Sequence, residues 1–265
     1  MTADITRAEG IATLTLQTSH AMNSCSMSDF GALRDRFLEL GADPEVHAVI
    51  LTGSGRAFCV GAALDTFLGE GGLSGAPERL REGFDTCLNP LLRAMVDLPK
   101  PLVIAINGTV AGGGMGLALL GDLVIASEEA RFHCAFVRML GIVPDAGVSW
   151  LLPNLMGRNR ALPLALLGES LSAREAVEAG LIWRAVPGAE LMGEAESYAR
   201  RLSKAPPEAL RRTRQLFTDA LSTRFGDLID RERDANVALC ARPELEEGVR
   251  AFLEKRAPDF RAKAG

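Results

Sequence analysis

At 265 residues, with 48% apolar and 24% charged residues, the chain has the makeup of a globular protein with a sizeable core. Its net charge of −5 and its few Tyr and Trp argue against a nucleic-acid footprint and against base-stacking platforms. The five cysteines (Cys25, Cys59, Cys87, Cys134, Cys240) are scattered, with no C-x-x-C pair, which fits free thiols in a reducing cytoplasm better than a disulfide framework.

Met1 to Gly10 carries charges and no apolar h-region, so no signal-peptide pattern is visible. Ile11 to Leu16 alternates apolar residues with Ala and Thr and reads as a strand. Ser28 is the expected cap of a helix running through Leu40 and ended by Gly41, with Phe30, Leu33, Phe37 and Leu40 at helical spacing. Ala48 to Leu51 is a second buried strand. Gly69 to Pro77, with four glycines and one proline, is expected to be a mobile loop. A helix then leads to Leu98-Pro99-Lys100-Pro101, where two prolines break it before a strand at Leu102 to Ile106.

Leu102 to Gly121 has the length of a membrane span and no charge, but Asn107, Thr109 and several glycines split it into strand, loop and helix. No membrane association is therefore expected. The run Ala111-Gly112-Gly113-Gly114-Met115-Gly116 exposes backbone N–H groups at the start of that helix, a place for a negatively charged oxygen. A dinucleotide fails on spacing: Gly112 and Gly114 are followed by Leu117 where G-x-G-x-x-G needs glycine.

Leu123 to Ala126 is a further strand. His133 lies in a strand-like run, and His20, His47 and His133 have no partner at ligand spacing, so no metal is expected. Ser172 and Glu175 form a capping box for a helix closed by Gly180. Strand–helix alternation to about residue 200 indicates an α/β core with parallel pairing. After Pro206-Pro207 the chain is helical and charged, with apolar stripes (Leu216, Phe217, Leu228, Ile229, Val249, Phe252) suited to docking on a core or a neighbouring subunit.

Two glycine-containing loops, Gly53-Ser54-Gly55 through Gly61-Ala62-Ala63-Leu64 and Asn107-Gly108 with Gly112–Gly114, resemble the crotonase (enoyl-CoA hydratase/isomerase) superfamily. Ala21-Met22-Asn23-Ser24, Leu98-Pro99-Lys100-Pro101 and Gly180-Leu181-Ile182 extend the likeness over nearly the whole chain. The resemblance implies a spiral of ββα turns over residues 1–200 and a helical region, 201–265, for contacts in a homotrimer or hexamer. It also implies an acyl-CoA thioester substrate, with coenzyme A entering as part of that substrate and no permanently bound cofactor. Matched residue by residue, the N–H groups of Ala62 and Gly113 would hold the thioester oxygen, where negative charge develops as an enolate forms. Ala63, Leu64 and Asp65 would lie along the CoA moiety, although the family often has Asp at the position of Ala63 and a basic residue at that of Asp65. Asp65 is therefore left between the CoA phosphates and the acyl group. Phe252 and Lys255 match positions near the adenine and phosphates.

The acids decide the reaction. Gly116 stands where a hydratase of this family has its first glutamate, and His133 to Arg138 has no carboxylate where the second would follow. The acid that remains is Asp145 in Gly141-Ile142-Val143-Pro144-Asp145, which resembles the enoyl-CoA isomerase branch that includes the phenylacetate-pathway ring isomerase. The downstream Trp150-Leu151-Leu152-Pro153 fits the same branch. Phe136 to Gly141 is one residue longer than in those relatives. A single Asp145 suffices for an isomerase, which removes a proton and returns it elsewhere. Two alternatives stay open. In a dehalogenase-type hydrolase Asp145 would be the nucleophile, but the helix at Phe84 to Met95 lacks the histidine that this needs. The other is a catalytically silent acyl-CoA binder.

Overall fold

A computed structural model describes residues 2–64 and 74–260. The chain forms two sheets linked by a repeating ββα path. The larger has the order β1-β2-β3-β5-β7-β10, with β1 (Thr2–Ala8), β2 (Ile11–Gln17), β3 (Ala48–Gly53), β5 (Leu102–Ile106), β7 (Leu123–Ser127) and β10 (Arg184–Val186). The smaller has the order β4-β6-β8-β9, with β4 (Ala57–Cys59), β6 (Thr109–Ala111), β8 (Arg131–His133) and β9 (Ser170–Ser172). Pairing is parallel except in β1–β2 and β8–β9. Each of β3, β5 and β7 hands the chain to its partner β4, β6 or β8 in the second sheet, and helices bring it back. That path is a spiral of ββα turns.

Parallel strands covered on both faces read as unbroken apolar runs. Leu102–Ile106 is buried at every position. Val49, Leu51, Ile104 and Ile106 face α1 (Met27–Ala42) through Phe30, Leu33 and Phe37. Ala48, Ile50, Val103, Ala105 and Ile125 face a helix named α8 below, Leu191–Ser203, through Leu191, Ala195, Tyr198 and Ala199.

Several local expectations need correction. Helix α1 is capped by Ser26 rather than Ser28, because Asp29 at the third helical position accepts from the Ser26 N–H at 2.8 Å while the Ser26 hydroxyl accepts from the Asp29 N–H at 3.1 Å. It runs past Gly41 to Ala42. Pro77 lies in the first turn of α2 (Ala76–Gly83), where proline is at home, and not in a loop. Positions 69–73 of that expected loop lie outside the described residues. Helix α2 continues through a π-helical turn, Phe84–Leu88, into α3 (Asn89–Val96). The N-terminal strand β1 was not expected. Glu9 and Gly10, with φ of 52° and 74°, form the tight turn that pairs it with β2.

The remaining helices are α4 (Gly114–Leu119), α5 (Val148–Met156), α6 (Arg158–Leu167), α7 (Ala173–Glu178, with the expected Ser172–Glu175 capping box), α8 (Leu191–Ser203), α9 (Pro207–Asp219), α10 (Phe225–Cys240) and α11 (Pro243–Leu253). Arg214 ties α9 to the core. Its Nε donates to Asp122 Oδ1 at 2.6 Å, and its other nitrogens reach the carbonyls of Val96, Leu98 and Lys100. Asp122 Oδ2 accepts from the Leu102 N–H at 2.7 Å, at the mouth of the central strand. Burial pushes the Asp122 carboxyl up and the Arg214 guanidinium draws it back. Arg214→Ala leaves that carboxylate and the carbonyls without their cation. It is expected to cost about 3 kcal/mol, a fall in Tm of about 5–10 °C by thermal unfolding.

Candidate active site

The two glycine loops meet where β4 and β6 end. After Cys59 the chain turns at Gly61, whose φ is +87°, and Cys25 bridges the next residues as a one-residue parallel strand. The Cys25 N–H donates to Gly61 O at 2.8 Å, and the Ala63 N–H donates to Cys25 O at 2.8 Å. In such a bridge the residue between, Ala62, turns its own N–H away from Cys25. Hydrogen bonding to Cys59 and burial hold the Cys25 thiol well above the usual range.

Gly112 opens the second loop at φ +52°, its N–H donating to His133 O at 3.3 Å. A Cβ at Gly114 would run into the Cys59 carbonyl, so bare backbone is required for the loops to touch. A Cβ at Gly61 would lie 2.8 Å from the Gly113 nitrogen. Among the described residues no hydrogen bond is recorded for the N–H of either Ala62 or Gly113. Helix α4 has only six residues, so its dipole is small, and the N–H groups themselves are the electropositive element.

Two side-chain amides, buried Asn23 and half-buried Asn107, hold this frame. Asn23, at φ +54°, donates from Nδ2 to the carbonyls of Ser54 (2.9 Å), Ala57 (2.8 Å) and Phe58 (3.3 Å). Asn107 accepts from the Gly53 N–H at 3.0 Å and donates to Gly55 O at 2.9 Å. Both residues belong to the stretches that carry the resemblance. Their supporting role, like that of Cys25 and Gly61, was not legible in the sequence, because their partners lie about 30 to 55 positions away.

Asp145 reaches the same place from the other side. A π-helical turn, Phe136–Leu140, ends at Gly141 in a left-handed conformation. A π turn takes one more residue per turn than an α turn, so this segment can hold a longer stretch of chain between β8 and Pro144 than an α turn of the same pitch would. Pro144 and Asp145 follow, then Ala146 (φ +50°) and Gly147 (φ +80°), which starts α5. The Val148 N–H donates to Asp145 O at 2.9 Å. Asp145 Oδ1 lies 3.2 Å from the point a Gly113 Cβ would occupy. The side chain is half-buried, and burial pushes its carboxyl up to about 6, against the lowering effect of a hydrogen bond with its own backbone. That is the range in which a carboxylate can take up and release a proton near neutral pH.

Ala62, Gly113 and Asp145 are thus brought together. Ala63 is buried beside Ala62 and Leu64 is exposed, while Asp65 lies outside the described residues. Phe252 in the last turn of α11 and Lys255 just after it are exposed, with the Lys255 N–H donating to Phe252 O at 3.2 Å. Among the described residues no backbone hydrogen bond links these two to the glycine loops. Among those residues there is also no group of three His, Cys, Asp or Glu able to hold a metal, and no helix long and apolar enough to cross a membrane.

A family model described as enoyl-CoA hydratase/isomerase matches residues 6–263. The chain is 38% identical over 255 residues to 1,2-epoxyphenylacetyl-CoA isomerase of Escherichia coli K12, covering 96% of each protein. It is 30% identical to 2,3-dehydroadipyl-CoA hydratase of the same organism, covering 98% of each. The crystal structure of an enoyl-CoA hydratase from Polaromonas sp. JS666 superposes with a TM-score of 0.91 at 29% identity, covering 97% of this chain and 99% of that one. The chain belongs to the enoyl-CoA hydratase/isomerase family, enzymes that act on acyl-CoA thioesters.

Proposed function

We propose that the chain is an acyl-CoA isomerase that moves a double bond, from the 3-enoyl to the 2-enoyl position or within a ring-type acyl group, with Asp145 as its one proton shuttle. The observation that carries this reading is the placement of the Asp145 carboxylate against Gly113 with its pKa raised to about 6. The 38% identity to an epoxyphenylacetyl-CoA isomerase supports it, and glycine at position 116 supports it against a two-acid hydration.

In this reading the thioester oxygen accepts from the Ala62 and Gly113 N–H groups. Ionised Asp145 removes a proton from Cα, and the electron pair delocalises onto that oxygen and across the double bond. The protonated Asp145 then delivers the proton to Cγ, giving the conjugated 2-enoyl thioester. No water is consumed, and the carboxylate returns to its starting state.

The CoA moiety is assigned to Ala63, Leu64 and Asp65, with Phe252 and Lys255 at its adenine and phosphate end. Exposed Phe217, Phe225, Val237, Phe252 and Leu253 on α9–α11 support a homotrimer or hexamer. Five free thiols support a cytoplasmic location.

The test is mass spectrometry of a panel of 3-enoyl- and ring-type acyl-CoAs incubated in deuterated water. Deuterium at Cα or Cγ with an unchanged elemental composition is expected. A stable gain of water would replace isomerisation by hydration.

A further inference from the structure

Positions 113 and 116 lie one turn apart at the start of α4, so they share the face on which the Asp145–Ala146 turn rests. At both, the chain has bare backbone. A Cβ built at Gly113 meets Asp145 Oδ1 at 3.2 Å and Ala146 Cβ at 3.6 Å, which is tight but tolerable contact. At Gly116 the outcome differs. A Cβ there would fall inside the Ala146 carbonyl oxygen, 2.7 Å from Ala146 Cβ and 2.9 Å from its carbonyl carbon.

Neither partner has room to give. Gly116 is fully buried in α4, with its N–H donating to Gly113 O at 3.1 Å. Ala146 is 5% exposed and already in the left-handed region at φ +50°, where an L-residue persists only if its surroundings hold it. Its peptide neighbour Asp145 is pinned by the Val148 N–H at 2.9 Å. Displacing the Ala146 carbonyl therefore displaces Asp145 with it.

We propose that Gly116 is a positioning residue for Asp145, and that any side chain at position 116 and the Asp145 carboxylate at Gly113 are mutually exclusive. The acid at 145 and an acid at 116 are then alternatives, not additions: hydration cannot be installed by Gly116→Glu while the isomerase geometry is kept. The catalytic part of this statement rests on the reading of Asp145 as the proton shuttle. The positional part does not.

The test uses Gly116→Ala, Gly116→Glu and Ala146→Gly in the full chain. The Asp145 carboxyl is titrated by 13C NMR with Asp145→Asn as the assignment control, alongside butyryl-CoA binding and turnover of 3-hexenoyl-CoA. In Gly116→Ala the Asp145 midpoint is expected to fall from about 6 toward the ordinary carboxylate range, as the group moves out to water. Turnover is expected to drop by about 100-fold or more while the Kd for butyryl-CoA stays within about threefold. Gly116→Glu should behave alike and gain no hydration of crotonyl-CoA. A folded Gly116→Ala protein with the midpoint still near 6 and turnover within about threefold of the parent would overturn the proposal.

If Gly116→Ala does not fold, Ala146→Gly loosens the same turn by removing atoms, and a lowered midpoint with about tenfold lower turnover is expected. An unchanged midpoint and rate in that variant would equally overturn the proposal. A parent protein that isomerises nothing, in which the midpoint still moves with Gly116→Ala, would sink the isomerase reading and leave Gly116 as the positioning residue.

Discussion

Asp145→Asn is expected to lower turnover by about 10³-fold, while saturated acyl-CoA esters bind within about threefold of the parent affinity. An amide of nearly the same shape fills the same space but has no lone pair basic enough to take a Cα proton. The Ala62 and Gly113 N–H groups, which the proposed mechanism places on the thioester oxygen, are untouched, so a residual rate above solution is expected. Binding is expected to persist because the proposed mechanism assigns the CoA moiety and the thioester oxygen to other groups. Comparable turnover in the variant would remove Asp145 from the mechanism.

The same substitution predicts a pH signature. In the proposed mechanism proton abstraction needs ionised Asp145, so kcat/KM of the parent should rise tenfold per pH unit below about 6 and level off above it. The residual rate of Asp145→Asn should show no such limb. Stability runs the other way. The folded-state pKa lies above the ordinary carboxylate value, so the protonated form is the one the fold favours. That contribution is complete below about pH 4 and is lost as the pH rises through about 6. At about pH 7 the parent therefore holds a half-buried carboxylate that the asparagine variant lacks. Asp145→Asn should keep or raise Tm, which separates loss of chemistry from loss of fold.

The meeting of the two glycine loops with Asp145 was largely legible in the sequence, because its parts are backbone and glycine, whose placement the local sequence dictates. The glycine runs at Gly53–Gly55 and Gly112–Gly114, the two-proline break before Leu102 and the lone acid after Pro144 each announce a local geometry. What stayed hidden depends on partners remote in sequence. Ser28 is as good a capping letter as Ser26, and the choice between them falls to Asp29, which lies three residues after Ser26 and closes a reciprocal pair. Strand β1 contains Asp4, Thr6 and Arg7 and becomes a strand by pairing with β2. Nothing in the run Phe136 to Leu140 announces that it winds as a π turn and delivers Asp145 to Gly113. The closure of position 116 by Ala146 likewise needs a helix and a turn some 30 residues apart to be seen in contact.

Gly61→Ala is the second large effect, and it tests the oxyanion site where no side chain can be removed. The added Cβ would stand 2.8 Å from the Gly113 nitrogen, whose N–H the proposed mechanism gives to the thioester oxygen, and 3.2 Å from Ala111 O. Losing one such donor costs about 10²- to 10³-fold in turnover. Part of any loss could come instead from the backbone, since φ is +87° at Gly61 and alanine is strained there. Gly55→Ala separates the two. Its φ is +71°, yet a Cβ at that position meets nothing within 4 Å. Both variants should lose about 1 kcal/mol or more of stability by chemical denaturation. Turnover should fall in Gly61→Ala and hold within about threefold in Gly55→Ala, and the acid limb near pH 6 should survive in the residual activity of Gly61→Ala because Asp145 is not moved. Equal losses in the two variants would assign the effect to strain, and the Gly113 N–H would no longer be the group that holds the developing charge.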